Sequence, residues 1–215
     1  MAEVRAPLPL SDLIGARLAD EPFIVPAGMQ LHHVHESRFP ANSFNPGAGR
    51  GRFHPFQDAA GRTVPCLYAA TSIAGSYTET VFRAVGVRPC LQVPARRISK
   101  FSYALLTPQK ELRLAHLCGD PLARLRLTRA ALLDPGPAFY ADTARWAQAI
   151  HAAYPALHGL AWVSRQHDAS SCLLFFGDRV ASADLQVSSQ IGFTDAAGVA
   201  LTDRVAMRLG IVVLR

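Results

Sequence analysis

Four polar side chains of this sequence are of the types that hold an anionic ligand and act on it. Arg52 lies in the glycine-rich stretch SFNPGAGRGRFHPF, Tyr68 follows sixteen residues later, and Glu79 lies eleven residues beyond Tyr68. Ser164 follows much further along the chain, in GLAWVSRQ. A guanidinium forms paired hydrogen bonds with phosphate or carboxylate, whereas a carboxylate stabilises positive charge that develops in a transition state. These residue types predict a ligand site if the fold brings the four side chains to one cavity.

Each of these features also has an ordinary structural explanation. Glycines around the two arginines of the loop are equally typical of a mobile surface loop, and an excess of arginine over lysine is typical of GC-rich codon usage. The predicted helix over 72–85 places its apolar side chains on one face and Glu79 nearly opposite, as a solvated carboxylate would be. Gly75 and Phe82, however, share the face of Glu79 and predict a hollow with an aromatic wall.

The elements that must position these residues mix strands and helices without regular alternation. Alternating or unbroken apolar patterns predict strands over 30–37, 64–69, 88–93, 96–106, 158–164, 172–176 and 210–214. Helical spacing predicts helices over 10–18, 72–85 (ended by Gly86), around 108–118 and within 135–154, and a short capped helix from Thr202. Irregular mixing of this kind favours a single α+β domain over a doubly wound sheet.

The size and composition of the chain set its class. Its 215 residues are 50% apolar, enough to bury one core, so we interpret 1–28 as a lead-in segment and 29–215 as one domain. The net charge is +6, from 22 basic and 16 acidic residues, and the high apolar content excludes a disordered polyelectrolyte. No secretory segment or membrane span is visible, which predicts a cytoplasmic protein without membrane contact. The four cysteines form no C-x-x-C pair and are interpreted as buried thiols in a reducing compartment.

Taken in order, the segments around the four polar residues resemble the RES domain family, named for its arginine, glutamate and serine. The matching text is GRGRFHP, CLYAAT, SYTETV and GLAWVSRQ, followed by the apolar SSCLLFF, within residues 30–215. The tyrosine-to-glutamate spacing of eleven fits the family pattern without a gap. The resemblance implies a fold like that of the diphtheria-toxin-like ADP-ribosyltransferases and NAD+ as the substrate. It also implies a toxin of a bacterial toxin–antitoxin pair, held inactive by an Xre-like antitoxin protein.

The same resemblance implies a role for each matching residue. Arg52, aided by backbone N–H groups at Gly51, would hold the pyrophosphate region of NAD+, and Tyr68 would stack on the nicotinamide ring. Glu79 would stabilise the oxocarbenium-like charge on the ribose, and Ser164 would hydrogen-bond the ligand or position a catalytic side chain. Cleavage of the nicotinamide–ribose bond would then pass ADP-ribose to phosphate, water or a protein, and no metal is required.

The chain departs from the family pattern at several places. Phe53-His54 stands where the family usually has Trp-Asn, and the insertion QDAAGR lengthens the segment that follows. Arg50 and Arg38 are therefore alternatives to Arg52 for the contact with NAD+. His33 aligns with an arginine at the end of the family's first strand, and is interpreted either as a ligand contact or as an exposed strand histidine.

Two other kinds of site are weighed against this interpretation. The charge of +6 and the GRGR loop are compatible with a non-catalytic, basic nucleic-acid or nucleotide binding module, although no RNP-like or helix-turn-helix pattern is present. We expect nucleic-acid contact only indirectly, through the antitoxin. The HHVH segment suggests a metal site, but a strand would place His32 and His35 on opposite faces, so no metal is predicted.

Overall fold

A mixed sheet lies at the centre of the protein. The computed structural model describes residues 6–83 and 91–215, which contain ten strands and seven α-helices. The strands are β1 Phe23–Val25, β2 Leu31–Glu36, β3 Cys66–Ala70, β4 Leu91–Pro94, β5 Phe101–Pro108, β6 Leu112–His116, β7 Gly159–Val163, β8 Ser171–Phe176, β9 Leu185–Gly192 and β10 Ile211–Leu214. The α-helices are α1 Leu10–Gly15, α2 Ile73–Thr78, α3 Ala95–Ile98, α4 Gly119–Arg124, α5 Arg129–Leu132, α6 Tyr140–Ala153 and α7 Ala196–Arg208.

Eight of the described strands form one sheet, in the order β1-β6-β7-β8-β3-β2-β5-β9. Neighbours pair antiparallel except β6 and β7, which are parallel, and β4 pairs with β10 in a separate parallel ribbon. The unbroken apolar segment CLLFF predicts a strand that is buried on both faces, and β8 confirms it. Leu174 and Phe176 enter the core on one face of the sheet, whereas Leu173 and Phe175 enter the core on the other. This topology confirms the predicted α+β class.

The longest helix, α6, covers one face of the sheet. Its apolar stripe places Trp146 and Ile150 in the same buried cluster as Leu174 and Phe176 of β8. Both α6 side chains are 1% exposed or less, so the predicted role of Trp146 as a core residue is confirmed. Burial of this stripe against the sheet fixes α6 beside the glycine-rich loop, where Thr143 hydrogen-bonds the carbonyl of Arg52.

Residues 108–118 contain the strand β6, so the helix predicted there is wrong. Leu112 and Leu114 are fully buried and Arg113 between them is exposed, which is the period-two pattern of a strand. Leu114 pairs with Phe23 of β1 on one side and with Gly159 of β7 on the other. Tertiary pairing on both edges therefore overrides the helical spacing of the local sequence.

Several element boundaries also differ from the sequence-based predictions. Helix α2 ends at Thr78, well short of the predicted end at Gly86, which lies outside the described residues together with Cys90. The last helix begins at Ala196 instead of Thr202. The predicted strand over 96–106 begins only at Phe101, because α3 occupies the preceding turn. Strands β1 and β9 were not predicted, since β1 has only three residues and β9 is mostly exposed.

The described cysteines are free thiols, and the expected burial is found for two of the three. Cys66 and Cys172 are buried, and burial raises the pKa of each thiol to about 12. Cys118 is only half-buried. Among the described residues, no helix combines the length and the apolar character that crossing a membrane requires.

Candidate active site

A cavity of about 660 Å³ opens beside strands β2 and β3, helix α2 and the glycine-rich loop. Its walls include Arg52 from the loop, Tyr68 from β3, and Gly75 and Glu79 from α2 and its end. Ser164 lies directly behind Glu79 and is completely buried. The fold thus brings Arg52, Tyr68 and Glu79 to one cavity, with Ser164 behind Glu79, although the four residues are widely separated in the sequence.

Sheet register explains why Ser164 meets Glu79. Strands β3 and β7 both pair antiparallel with β8, so both end beside the start of β8: Ala70 pairs with Cys172, and Val163 pairs with Ser171. Ser164 follows β7 at this edge, and helix α2 begins there after β3. Ser72 caps α2, because its Oγ accepts a hydrogen bond from the N–H of Gly75 at 3.0 Å. The cap fixes the start of the helix, and Glu79 lies at its C-terminal end.

The carboxylate of Glu79 is held asymmetrically. Its Oε1 accepts hydrogen bonds from Ser164 Oγ at 2.7 Å and from the backbone N–H of Arg165 at 3.0 Å. Its Oε2 lies 3.8 Å from Arg52 Nη1, which is an ion pair longer than a hydrogen bond. Oε1 is therefore hydrogen-bonded by the protein, whereas Oε2 has no hydrogen bond among the described residues beyond its ion pair with Arg52.

The hydroxyl of Ser164 has a defined orientation. Its oxygen accepts hydrogen bonds from the N–H groups of Gln166 at 3.1 Å and His167 at 3.2 Å. Since both lone pairs are used by backbone donors, the hydroxyl hydrogen is directed to Glu79. Ser164 therefore donates its hydroxyl hydrogen to Glu79.

Arg52 is a buried cation whose hydrogen-bonding capacity is only partly used by the described residues. Its side chain is 4% exposed, and Nε has no hydrogen-bond partner among the described residues. Buried polar groups in proteins are nearly always paired, so an unpaired donor beside a cavity is consistent with an anionic ligand. Gly51 lines the cavity, but its backbone N–H donates to the carbonyl of His54 at 3.0 Å, so this N–H is not free to hold the pyrophosphate as expected.

Tyr68 lies on the cavity wall and is anchored through its hydroxyl. Its oxygen accepts a hydrogen bond from the backbone N–H of Phe53 at 3.3 Å and lies 2.9 Å from Nδ1 of His54. The ring meets Trp162 edge-to-face, with centroids 6.2 Å apart. Burial raises the pKa of the phenol well above its ordinary value, so Tyr68 is protonated at neutral pH.

His33 is buried and lines the cavity, so the alternative of an exposed strand histidine is wrong. Its ring stacks on that of His35, with centroids 5.2 Å apart and planes 8° from parallel. Burial, with a smaller contribution from the nearby His35, lowers the pKa of His33 to about 3. His33 is therefore a neutral imidazole at physiological pH. Its partner His35 has its Nε2 buried with no hydrogen-bond partner among the described residues.

The two alternative arginines are placed differently from Arg52. Arg50 and Arg38 border the same cavity, but both side chains are exposed. Arg38 pairs with Glu36 through a 2.7 Å contact and covers the ring of Phe39. Among the three candidates, only Arg52 is buried next to Glu79.

The aromatic wall predicted beside Glu79 is not formed by Phe82. Because α2 ends at Thr78, the chain turns before residue 82, and Phe82 packs against Tyr77 in a separate core cluster. Trp162 of β7 lines the cavity instead. The sequence around Trp162 indicates only a buried strand, so its place at the cavity could not be read from the local pattern.

A second cavity, of about 740 Å³, shares Arg52 and Glu79 with the first. Five further cations line it: Arg83, Arg96, Arg97, Lys100 and Arg165. Glu79 is the one acidic side chain among its described lining residues. The cluster ARRISK marks part of this basic groove in the sequence, but its proximity to Glu79 was not predicted. No group of acidic, histidine or cysteine side chains suited to a metal ion is found in the described parts of the chain.

Comparisons with known proteins agree with the resemblance found in the sequence. The model of a family described as "RES domain" matches residues 30–195. A solved structure from M. tuberculosis, the MbcT-MbcA toxin-antitoxin complex, contains a similar chain: the TM-score is 0.61 at 14% identity, and the match covers 91% of this chain and 100% of that one. At this identity the likeness concerns the fold. No protein of curated function matches the sequence.

Proposed function

This chain belongs to the RES domain family, and from that premise we propose that it is an NAD+-consuming enzyme that acts as the toxin of a toxin–antitoxin pair. The observation that carries the proposal is the carboxylate of Glu79, held by Ser164 at the wall of a cavity that also contains Arg52 and Tyr68. A single oriented carboxylate beside a buried cation suits a dinucleotide whose reacting ribose becomes positive and whose pyrophosphate is negative.

In the proposed reaction, the bond between C1′ of the ribose and the nicotinamide nitrogen breaks, and its electron pair leaves with nicotinamide. Positive charge then spreads over C1′ and the ring oxygen of the ribose. The free oxygen of Glu79 stabilises this charge, because Ser164 and Arg165 hold the other oxygen. An oxygen of the acceptor forms the new bond to C1′ and, if protonated, gives up its proton. Nicotinamide is a neutral leaving group, so this scheme assigns no step to a metal.

Arg52 and Tyr68 bind the substrate in this proposal. The buried guanidinium of Arg52 pairs with the pyrophosphate. Tyr68 and Trp162 supply aromatic surface for the nicotinamide ring. His33, which is neutral, contributes a hydrogen bond without adding charge to the cavity.

The basic groove supports phosphate as the acceptor over water or a protein side chain. Six cations, Arg52 included, surround a space that reaches Glu79. Such a groove raises the local concentration of an anion beside the reacting carbon. The products would then be nicotinamide and ADP-ribose 1″-phosphate.

The test is to incubate the protein with NAD+ in phosphate and in a phosphate-free buffer, and to identify the products by chromatography and mass. The proposal expects nicotinamide release that depends on phosphate, with the phosphorylated product. Release of ADP-ribose without dependence on phosphate would overturn the choice of acceptor. Binding of NAD+ or nucleic acid without any nicotinamide release would overturn the enzyme and favour a binding module.

The toxin role is tested separately. We propose that the chain acts in the cytoplasm and is neutralised by a protein antitoxin with an Xre-like region. The support is the family, together with a structurally similar chain whose title names a toxin-antitoxin complex. Induced expression should arrest growth and lower cellular NAD+, and co-expression of an Xre-like neighbouring reading frame should restore both. Growth arrest without loss of NAD+ would contradict the proposal.

A further inference from the structure

His54 connects the glycine-rich loop to Tyr68 through its two ring nitrogens. Nδ1 lies 2.9 Å from the hydroxyl oxygen of Tyr68, and Nε2 lies 3.4 Å from Nδ2 of Asn45. The ring is 9% exposed and lines the cavity. In a neutral imidazole one nitrogen donates and the other accepts, so the neighbours determine which tautomer forms.

Asn45 has a fixed amide orientation. Its Oδ1 accepts hydrogen bonds from the N–H groups of Gly47 at 2.9 Å and Ala48 at 2.7 Å. Its Nδ2 donates to the carbonyl of Ala48 at 2.9 Å. An inverted amide would place its NH2 group against two backbone donors, so the group that faces His54 is a donor. This donor favours the tautomer in which Nε2 of His54 accepts and Nδ1 carries the proton, whereas the backbone carbonyl of Ala48 near the ring favours a proton on the nitrogen that faces it.

The tautomer of His54 determines the orientation of the Tyr68 hydroxyl. In the Nδ1–H tautomer, the Tyr68 oxygen, which already accepts from the N–H of Phe53, also accepts from Nδ1–H of His54. Among the described residues, no other protein acceptor lies within hydrogen-bond distance of this hydroxyl. Its own hydrogen is thus free for an acceptor atom in the cavity.

We propose that His54 is a positioning residue of the active site, whose Nδ1–H tautomer, set by Asn45, directs the hydroxyl hydrogen of Tyr68 to the bound ligand. The orientation of the hydroxyl follows from protein contacts, and only the identity of the ligand rests on the proposed function. If the ligand is NAD+, its carboxamide, hydroxyl and phosphate oxygens are all suitable acceptors. Tyr68 is then a hydrogen-bond donor to the substrate as well as an aromatic surface.

The surroundings of His54 keep it neutral. Burial lowers its pKa, and the charge of Arg83 lowers it further, whereas the nearby carbonyl of Ala48 acts in the opposite direction. Gly51 leaves room for the ring: a Cβ at this position would lie 2.3 Å from Cε1 of His54 and 2.9 Å from the Tyr68 hydroxyl oxygen. The loop glycine is therefore part of the same arrangement.

The tautomer can be measured without any activity. In the full-length protein labelled with ¹⁵N-histidine, two-bond ¹H–¹⁵N correlations distinguish Nδ1–H from Nε2–H, and the signals that disappear in His54→Asn assign residue 54. The proposal expects Nδ1–H at neutral pH. The opposite tautomer, with Tyr68 donating to Nδ1, would overturn it.

Two amide variants of His54 distinguish the contributions of its two ring nitrogens. Asparagine at position 54 places its NH2 group near the site of Nδ1 and retains the donor to Tyr68, whereas glutamine reaches the site of Nε2 and does not. We expect His54→Asn to keep kcat for nicotinamide release within about threefold, and His54→Gln to lose about tenfold, the effect of one hydrogen bond. Tyr68→Phe should lose as much, and His54→Gln should add no further loss to it.

Equal losses in the two amide variants, at equal thermal stability, would overturn the positioning role. So would fully additive losses in the double variant Tyr68→Phe with His54→Gln, because the two residues would then act independently. If the wild-type protein releases no nicotinamide, the proposed function fails, and the NMR measurement still decides the tautomer. The two proposals therefore fail by different observations.

Discussion

The hydroxyl of Ser164 donates a 2.7 Å hydrogen bond to the carboxylate of Glu79, across a gap of 85 residues in the sequence. Both side chains are shielded from solvent, and Ser164 is fully buried. The contact occupies one oxygen of the carboxylate, and the other lies beside Arg52 at the cavity. Five predictions follow the consequences of this arrangement and of the groups around it.

Glu79→Gln should abolish nicotinamide release while leaving the fold intact. The amide oxygen of glutamine can still accept from Ser164, but the negative charge that would stabilise the transition state is lost. We expect kcat to fall by at least about a hundredfold. Nicotinamide release and circular dichroism measure the two effects. Glu111→Gln, at an exposed position, is the matched control and should retain wild-type activity. If Glu79→Gln also retains wild-type activity, the proposed role of this carboxylate is refuted.

Ser164→Ala should reduce both turnover and stability. Without its oxygen, the N–H groups of Gln166 and His167 lose their acceptor, and Glu79 loses one of its two donors. We expect kcat to fall about tenfold and the free energy of unfolding to fall by about 1–3 kcal/mol. Steady-state kinetics and urea unfolding provide the values. Ser188→Ala, which removes an exposed hydroxyl, should change neither kcat nor the free energy of unfolding. An unaltered kcat in Ser164→Ala would contradict the prediction.

Arg52→Lys and Arg50→Lys should separate the two arginines of the loop. A lysine keeps the charge but cannot form the paired, planar contact of a guanidinium with phosphate. Because only Arg52 is buried beside Glu79, we expect its variant to raise KM for NAD+ about tenfold. The Arg50 variant should change KM by no more than about twofold, as for an exposed contact. If the exposed position has the larger effect on KM, the assignment of the anion contact to Arg52 is wrong.

Gly51→Ala should destabilise the loop and displace Tyr68. The new methyl group would lie within 2.3 Å of the His54 ring, so either the ring or the loop has to move. We expect a loss of about 1–3 kcal/mol in the free energy of unfolding, measured in urea. Gly136→Ala is a suitable control, since nothing lies within 4 Å of the added Cβ. Equal unfolding free energies for the two variants would show that the loop accommodates the methyl group.

Stability should decrease as the pH falls from about 6.5 toward 3, in part because of His33. Its pKa is lowered from 6.5 to about 3 in the fold, so in this interval the unfolded chain binds a proton that the folded chain does not. The resulting stabilisation is complete above 6.5 and is lost on acidification. His35 and His54, whose pKa values burial also lowers, act in the same direction.

The measurement is urea unfolding of the wild type and of His33→Gln over this pH interval. Carboxylates such as Asp58 and Asp184, whose pKa values lie below the ordinary range in the fold, also lose stabilisation at acid pH. The difference in pH slope between the two proteins therefore isolates His33. We expect the variant to have the smaller slope, and identical slopes would disprove the contribution.

The sequence by itself determined the residue types of the site and the strands next to them. Short sequence patterns predicted four strands of the sheet, and the structure has strands at all four places. These are β2 within 30–37, β3 near 64–69, β7 within 158–164 and β8 at 172–176. The spacing of Arg52, Tyr68, Glu79 and Ser164 likewise indicated the family from the sequence alone. Local patterns sufficed for these features because periodicity and chain order are local properties.

Only the tertiary structure decided how these residues meet. Register along β8 aligns the ends of β3 and β7, and this places Ser164 against Glu79. The same long-range pairing made β6 a strand, and the early end of α2 removed Phe82 from the cavity. Burial distinguished Arg52 from Arg50, and the contacts of Asn45 distinguished the two nitrogens of His54. Each outcome depends on neighbours distant in sequence or on the detailed course of the backbone, which local composition does not encode.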